Sequence, residues 1–206
     1  MKTKYAVLYP ITLIIFLLPL SLNVKAQNKA FETLKQLQNK INSLKNITAD
    51  FTQSFNGGEK LKGKFYYQKN DKMRVETGNI ILVSDGSSTW NYNRVQKKLI
   101  ISSNSQSDQS LLSLKTIVNS LPPKCNIKSI DGNDSEIILT PKEKGLSFNS
   151  IKIYVNQNNL INALSIETKD KQTMRIELSN YKLDSKLPDS LFKINPPKGS
   201  KVIDLR

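Results

Sequence analysis

From Ala49 onward the apolar residues fall on every second position, and clusters of turn-forming residues cut this alternation at short intervals. Ala49, Phe51 and Phe55 alternate with polar neighbours up to Asn56-Gly57-Gly58, Leu61, Phe65 and Tyr67 up to Lys69-Asn70-Asp71, and Met73, Val75 and Thr77 up to Gly78-Asn79. A period of two is the pattern of strands with one buried face, and Gly, Asn and Asp supply the backbone conformations that tight connections need. Residues 80–92 are the sharpest case. Two apolar runs flank Asp85-Gly86, a strong hairpin signal, and Trp90 stands two positions from Tyr92, so both project from one sheet face. With residues 95–102 these segments make six antiparallel strands.

Helical spacing appears twice. Phe31, Leu34, Leu37, Ile41 and Leu44 recur at steps of three and four, which predicts an amphipathic helix over residues 29–47 that ends near Asn46. After a polar stretch at 103–110, Leu111, Leu112, Leu114, Ile117, Val118 and Leu121 form a second, shorter helix, capped by Ser107 or Asp108 and stopped by Pro122-Pro123. Its apolar stripe is broad for its length, so it must lie on something apolar. Strand-like segments then return at 125–130, 135–140, 150–156, 160–168 and 173–183, and residues 191–205, with Pro196-Pro197, suit an edge segment along the sheet. The expected fold is mainly β with α: an incomplete antiparallel barrel of about eleven strands, covered by a helical lid.

The first residues have the layout of a secretory signal: Lys2 and Lys4, an apolar stretch over 5–22, and small or short residues before a cleavage point after Ala26. Residues 1–26 are therefore expected to be removed, leaving 27–206 as one exported domain, and the formal charge of +14 falls by the three leader lysines, 14 − 3, to +11. Export and the scatter of the lysines argue against a nucleic-acid binder. They suit a solvated outer face, with attraction to anionic head groups as a weaker option. Cys125 is alone, which rules out an internal disulfide. The chain has no histidine, so Ser-His-Asp and Cys-His nucleophile systems and His-based zinc sites in their usual form are excluded. No enzyme, cofactor or metal is expected.

Five phrases, in order, resemble the LolA-like periplasmic outer-membrane lipoprotein carrier family: TADFTQSF (48–55), GKFYYQKNDKMRVE (63–76), VSDGSSTWNY (83–92), LTPK (139–142) and FKINPPKG (192–199). The resemblance implies a half-closed barrel whose apolar cavity holds the acyl chains of lipoproteins. It further implies a monomeric periplasmic carrier that collects cargo from an inner-membrane lipoprotein-releasing ABC transporter and delivers it to an outer-membrane acceptor or receptor. The alternative is a lipid- or lipoprotein-sensing half-barrel of the cell envelope. On this reading Phe51, Phe55, Phe65, Tyr67, Met73, Val75, Leu82, Trp90 and Tyr92 line the acyl cavity, and Leu111, Leu114, Ile117 and Val118 form the lid. The family carries Arg-Pro at the end of the second strand, where the arginine latches the lid. Here the pair is Lys69-Asn70, so Lys69 is the candidate latch, without the planar fork of donors that arginine would offer.

Overall fold

The computed structural model describes residues 22–103, 113–130 and 133–206. A helix, α1 (Leu22–Ser43), precedes β1 (Asn46–Phe55), β2 (Leu61–Gln68), β3 (Lys72–Thr77), β4 (Ile80–Asp85), β5 (Ser88–Asn93) and β6 (Lys98–Ser103). A short helical segment then runs through a π-helical turn at Thr116–Ser120 and a 3-10 turn at Pro122–Lys124. It leads to β7 (Cys125–Ile130), β8 (Asn133–Pro141), β9 (Phe148–Val155), β10 (Ile161–Thr168) and β11 (Thr173–Leu183). A 3-10 turn at Asp189–Phe192 and the edge strand β12 (Lys201–Asp204) complete the described order.

All twelve strands belong to one sheet, ordered β12-β6-β5-β4-β3-β2-β1-β11-β10-β9-β8-β7, and its end strands do not pair with each other. The incomplete barrel expected from the sequence is thus present. The C-terminal edge segment is a twelfth strand, parallel to β6; every other pairing is antiparallel. β1 and β11 hold the two halves together, and their ladder slips between Thr48 and Asp50. On the β11 side of that irregularity Asn180 takes φ 52, a conformation Asn tolerates better than most residues, and its amide donates to Asp50 Oδ2 at 2.6 Å.

Ala30, Leu34, Leu37 and Ile41 are the buried stripe of α1, at steps of four and three, and Leu44 continues it just past the helix end; the helix packs across β7 and β8. Phe31, expected on that stripe, is 47% exposed because Ala30 takes the inward position. The helix also stops at Ser43, since β1 begins at Asn46. The expected processing point after Ala26 falls inside α1. Beneath it lies the densest part of the core, with Ile137, Leu139, Phe148, Ile151 and Ile153 fully buried.

The convex face of β4–β6 has its own apolar cluster, Ile81, Val83, Tyr92, Leu99 and Ile101, with Trp90 and Ile194 packed against it. Ile194 belongs to the stretch between β11 and β12, which crosses this face as a strap. Arg74 fastens the strap, donating from Nη1 to the Leu191 carbonyl at 3.2 Å and from Nε to Glu76 at 2.8 Å. Arg94 also donates to Glu76. Burial alone would raise the Glu76 carboxyl, but the two guanidinium groups outweigh it and hold it below the ordinary glutamate range.

Candidate functional site

Strand registers decide which side chains face the hollow. Ala49 pairs with Phe65, Phe65 with Val75, and Val75 with Leu82; Ile47 pairs with Tyr67 and Tyr67 with Met73. Directly opposed residues share a face, so Phe65, Tyr67, Met73, Val75 and Leu82 line one concave surface, and all belong to the main buried cluster along with Phe51. From the other half, Leu164, Ile176 and Leu178 reach the same centre.

Three of the residues expected in the cavity lie elsewhere. Leu82 is opposed by Asn91, whereas Trp90 is opposed by Val83 and Tyr92 by Ile81. Trp90 and Tyr92 do share a face, but it is the convex one, under the strap. Phe55 ends β1 at the rim, 51% exposed. The physical reason for the first two is the turn. The last pair of the hairpin is Ser84 with Thr89, leaving four residues between them, so even-numbered positions of β4 oppose odd-numbered positions of β5.

The lid descends on this surface from one side. Leu114, Ile117 and Val118 are buried in the same cluster as Phe51, Phe65 and Val75; Leu111 lies outside the described residues. Leu114 sits at the centre with Phe51, Phe65, Val75, Leu164, Ile176 and Leu178, and the gap left among them is about 10 Å³. Such a space holds at most about one water, so Leu114 occupies the middle of this surface.

Polar contacts hold the lid from both ends. Gln38 of α1 donates to the Val118 carbonyl at 2.8 Å, and the Asn42 and Asn119 amides exchange hydrogen bonds at 3.0 and 3.3 Å. At the start of the lid, Ser113 Oγ donates to Asp71 Oδ1 at 3.1 Å, and Lys115 Nζ lies 3.5 Å from Asp71 Oδ2. Lys69, two residues earlier in the same turn, is exposed, and its backbone N–H is bound to the Lys45 carbonyl at 3.0 Å. Among the described residues, the side chain of this turn that contacts the lid is that of the acid Asp71. Sequence reasoning passed over it because it looked for a cation where the resemblance places an arginine. Burial, together with the Asp71 charge, also pushes the Tyr67 phenol above its usual range.

A recess of about 540 Å³ lies on the opposite face beneath the strap, lined by Trp90, Phe192 and Ile194 with Lys72, Asp85, Asp189 and Lys193. Charges of both signs make it a poor host for hydrocarbon. Among the described residues no cluster of His, Cys, Asp and Glu could hold a metal, and none of the described helices is long and apolar enough to cross a membrane.

An unclosed antiparallel barrel with an apolar concave face under a short, polar-tethered lid defines the class of fold. Residues 42–195 match the family model of LolA, outer membrane lipoprotein carrier protein, and the protein belongs to that family. An outer-membrane lipoprotein carrier protein of Francisella tularensis is 27% identical over 203 residues, covering 93% of this chain and 96% of its own. One from Haemophilus ducreyi is 23% identical over 183 residues, covering 85% and 86%. The fold is shared with a crystal structure of an uncharacterized conserved protein from Thermus thermophilus, at TM-score 0.54 and 17% identity, over 85% of this chain and 98% of that one.

Proposed function

We propose that the protein is a periplasmic carrier, without catalytic activity of its own, that hides the acyl chains of lipoproteins while they cross from inner to outer membrane. On this reading residues 1–26 are removed on export, residues 27–206 act as a monomer, and cargo comes from an ABC transporter and passes to an acceptor at the outer membrane. Each methylene exposed to water costs about 0.8 kcal/mol, so acylated cargo needs an enclosed apolar surface on the way.

The observation that carries the reading is Leu114. It fills the middle of the apolar concave surface from a lid of few residues, and polar contacts that water can replace hold that lid. Closed, the lid satisfies the hollow. Open, the lid leaves Phe51, Phe65, Val75, Leu164, Ile176 and Leu178 to the acyl chains. Closure competes with cargo for the same surface, which keeps affinity moderate and release possible without nucleotide.

Leu114→Ala tests this directly. A buried Leu→Ala change removes about 2–5 kcal/mol from the closed form, and the cargo-loaded form has no such contact to lose. An apolar fluorescent dye should therefore bind the variant at least about tenfold more tightly, and native mass spectrometry of protein purified without detergent should show more co-purified acyl lipid or lipoprotein. A lower melting temperature with unchanged dye affinity and no bound lipid would make Leu114 an ordinary core residue and remove the carrier reading.

A further inference from the structure

The strand registers sort the turns by end of the barrel. At one end lie the turns β1–β2 (56–60), β5–β6 (94–97) and β10–β11 (169–172), the long β8–β9 connection (142–147), and Lys124 where the lid meets β7. Of the exposed cations there, Lys60 and Arg94 are paired with Glu177 and Glu76, while Lys97, Lys124, Lys142, Lys144, Lys169 and Lys171 have no carboxylate within ion-pair distance among the described residues. Acids in these turns are few: Glu59, Glu143 and Asp170. At the opposite end Lys115–Asp71, Lys72–Asp189 and Arg206–Asp204 are paired, while the exposed Lys45, Lys69 and Lys186 have no ion pair among the described residues.

Three of the six large exposed apolar side chains among the described residues lie at the same lysine-rich end. Phe55 is 51% exposed, Leu61 41% and Val95 72%, all three in or beside its turns. Lone exposed apolar residues need no explanation. Three on one rim, interleaved with unpaired lysines, are the composition of a surface that lies on lipid: cations meet the anionic head groups, and apolar tips reach the acyl boundary. Near the lid's end, Lys124, Lys142 and Lys144 with Glu143, Pro123 and Leu146 also border a recess of about 370 Å³, three cations to one acid, in which Lys142 Nζ donates to the Pro123 carbonyl at 3.1 Å.

We propose that this rim docks the protein on an anionic lipid bilayer, the lysines against phosphates and Phe55, Leu61 and Val95 among the head groups. The proposal deepens the carrier reading, since it makes the bilayer itself a surface the carrier meets, but its test needs no cargo. Lys124 both closes the lid segment and lines this rim, so contact with lipid bears on the element that covers the hollow.

Flotation of cargo-free protein with vesicles decides it. Vesicles of equal anionic and zwitterionic phospholipid should carry the protein up at low salt, vesicles of zwitterionic lipid alone should not, and about 1 M salt, where charges are screened within about 3 Å, should release it. Lys142→Ala/Lys144→Ala should weaken partition at least about tenfold, each lysine near such a surface contributing roughly fivefold. Val95→Asp should weaken it as well. Lys45→Ala/Lys186→Ala, the same loss of charge at the other end, should leave it unchanged. Circular dichroism checks that each variant is folded. Absence of binding, equal binding to both kinds of vesicle, or equal loss from the two lysine pairs overturns the proposal. Leu114→Ala should not alter flotation, so failure here is separate from failure of the hydrocarbon-container reading.

Discussion

Asp71 stands two residues from the position at which the family resemblance places the latch, and its side chain contacts the lid. Its two oxygens engage two lid residues, Ser113 and Lys115, and it is the less exposed partner, at 22% against 58% for the Lys115 side chain. A partly exposed pair of this kind contributes at most about 1 kcal/mol, with the serine hydrogen bond adding a similar amount. Such a hold is weak enough to open and strong enough to bias the lid shut. Asp71→Asn keeps the size of the side chain and removes its charge. It should raise apolar-dye affinity by a few-fold, in the direction of Leu114→Ala but less, while Lys69→Leu should leave the titration where it was. An effect of Lys69→Leu as large as that of Asp71→Asn would return the latch to the lysine. The sequence alone carried no sign of this difference, because it shows which residues occupy a turn and not which of them faces the lid.

At the level of elements, alternation made the strands legible and turn length made the faces hard to assign. Every strand of the first half was visible from period two and its bounding turns, as was the α1 stripe apart from the exchange of Phe31 for Ala30. Assigning Trp90 to the hollow required the β4–β5 register, and one residue more or less in that connection moves a whole strand's side chains to the other face. The lining contributed by Leu164, Ile176 and Leu178 was available in the alternation of residues 161–183, which the resemblance to the first-half phrases overshadowed. Gly63 is an element-level device of another kind. It stands between Phe51 on β1 and Thr77 on β3, and a Cβ there would meet the Glu76 carbonyl oxygen at 2.0 Å. That atom is backbone, so the strands themselves would have to part. Glycine at such a point permits a close approach of neighbouring backbone that no other residue allows. Gly63→Ala should cost at least the 1–3 kcal/mol typical of overpacking, read as a fall in denaturation midpoint, whereas Gly57→Ala, where the added Cβ meets nothing within 4 Å, carries only the strain of its φ of 72. Equal midpoints for Gly63→Ala and the unaltered protein would show that the two strands separate freely.

For the molecule as a whole, the two proposed roles fall on two separate surfaces: an apolar interior covered by the lid and a basic rim that meets the solvent. The separation can be exploited. Asn42 on α1 and Asn119 on the lid touch through their side-chain amides, and both belong to exposed contacts well away from Leu114. In Asn42→Cys/Asn119→Cys, a short thiol-reactive cross-linker would tie the lid to α1, and Cys125, being 2% exposed, is shielded from the reagent. The tied protein should keep its flotation on anionic vesicles and lose apolar-dye and lipoprotein uptake by at least about tenfold, because a lid that cannot leave keeps Leu114 in the centre of the hollow. The untied double variant should take up cargo as the unaltered protein does or slightly better, having lost one of the lid's polar contacts. If the tied form still filled with lipid, the route to the interior would not pass beneath the lid, and the contacts of Leu114, Gln38 and Asp71 would be packing alone.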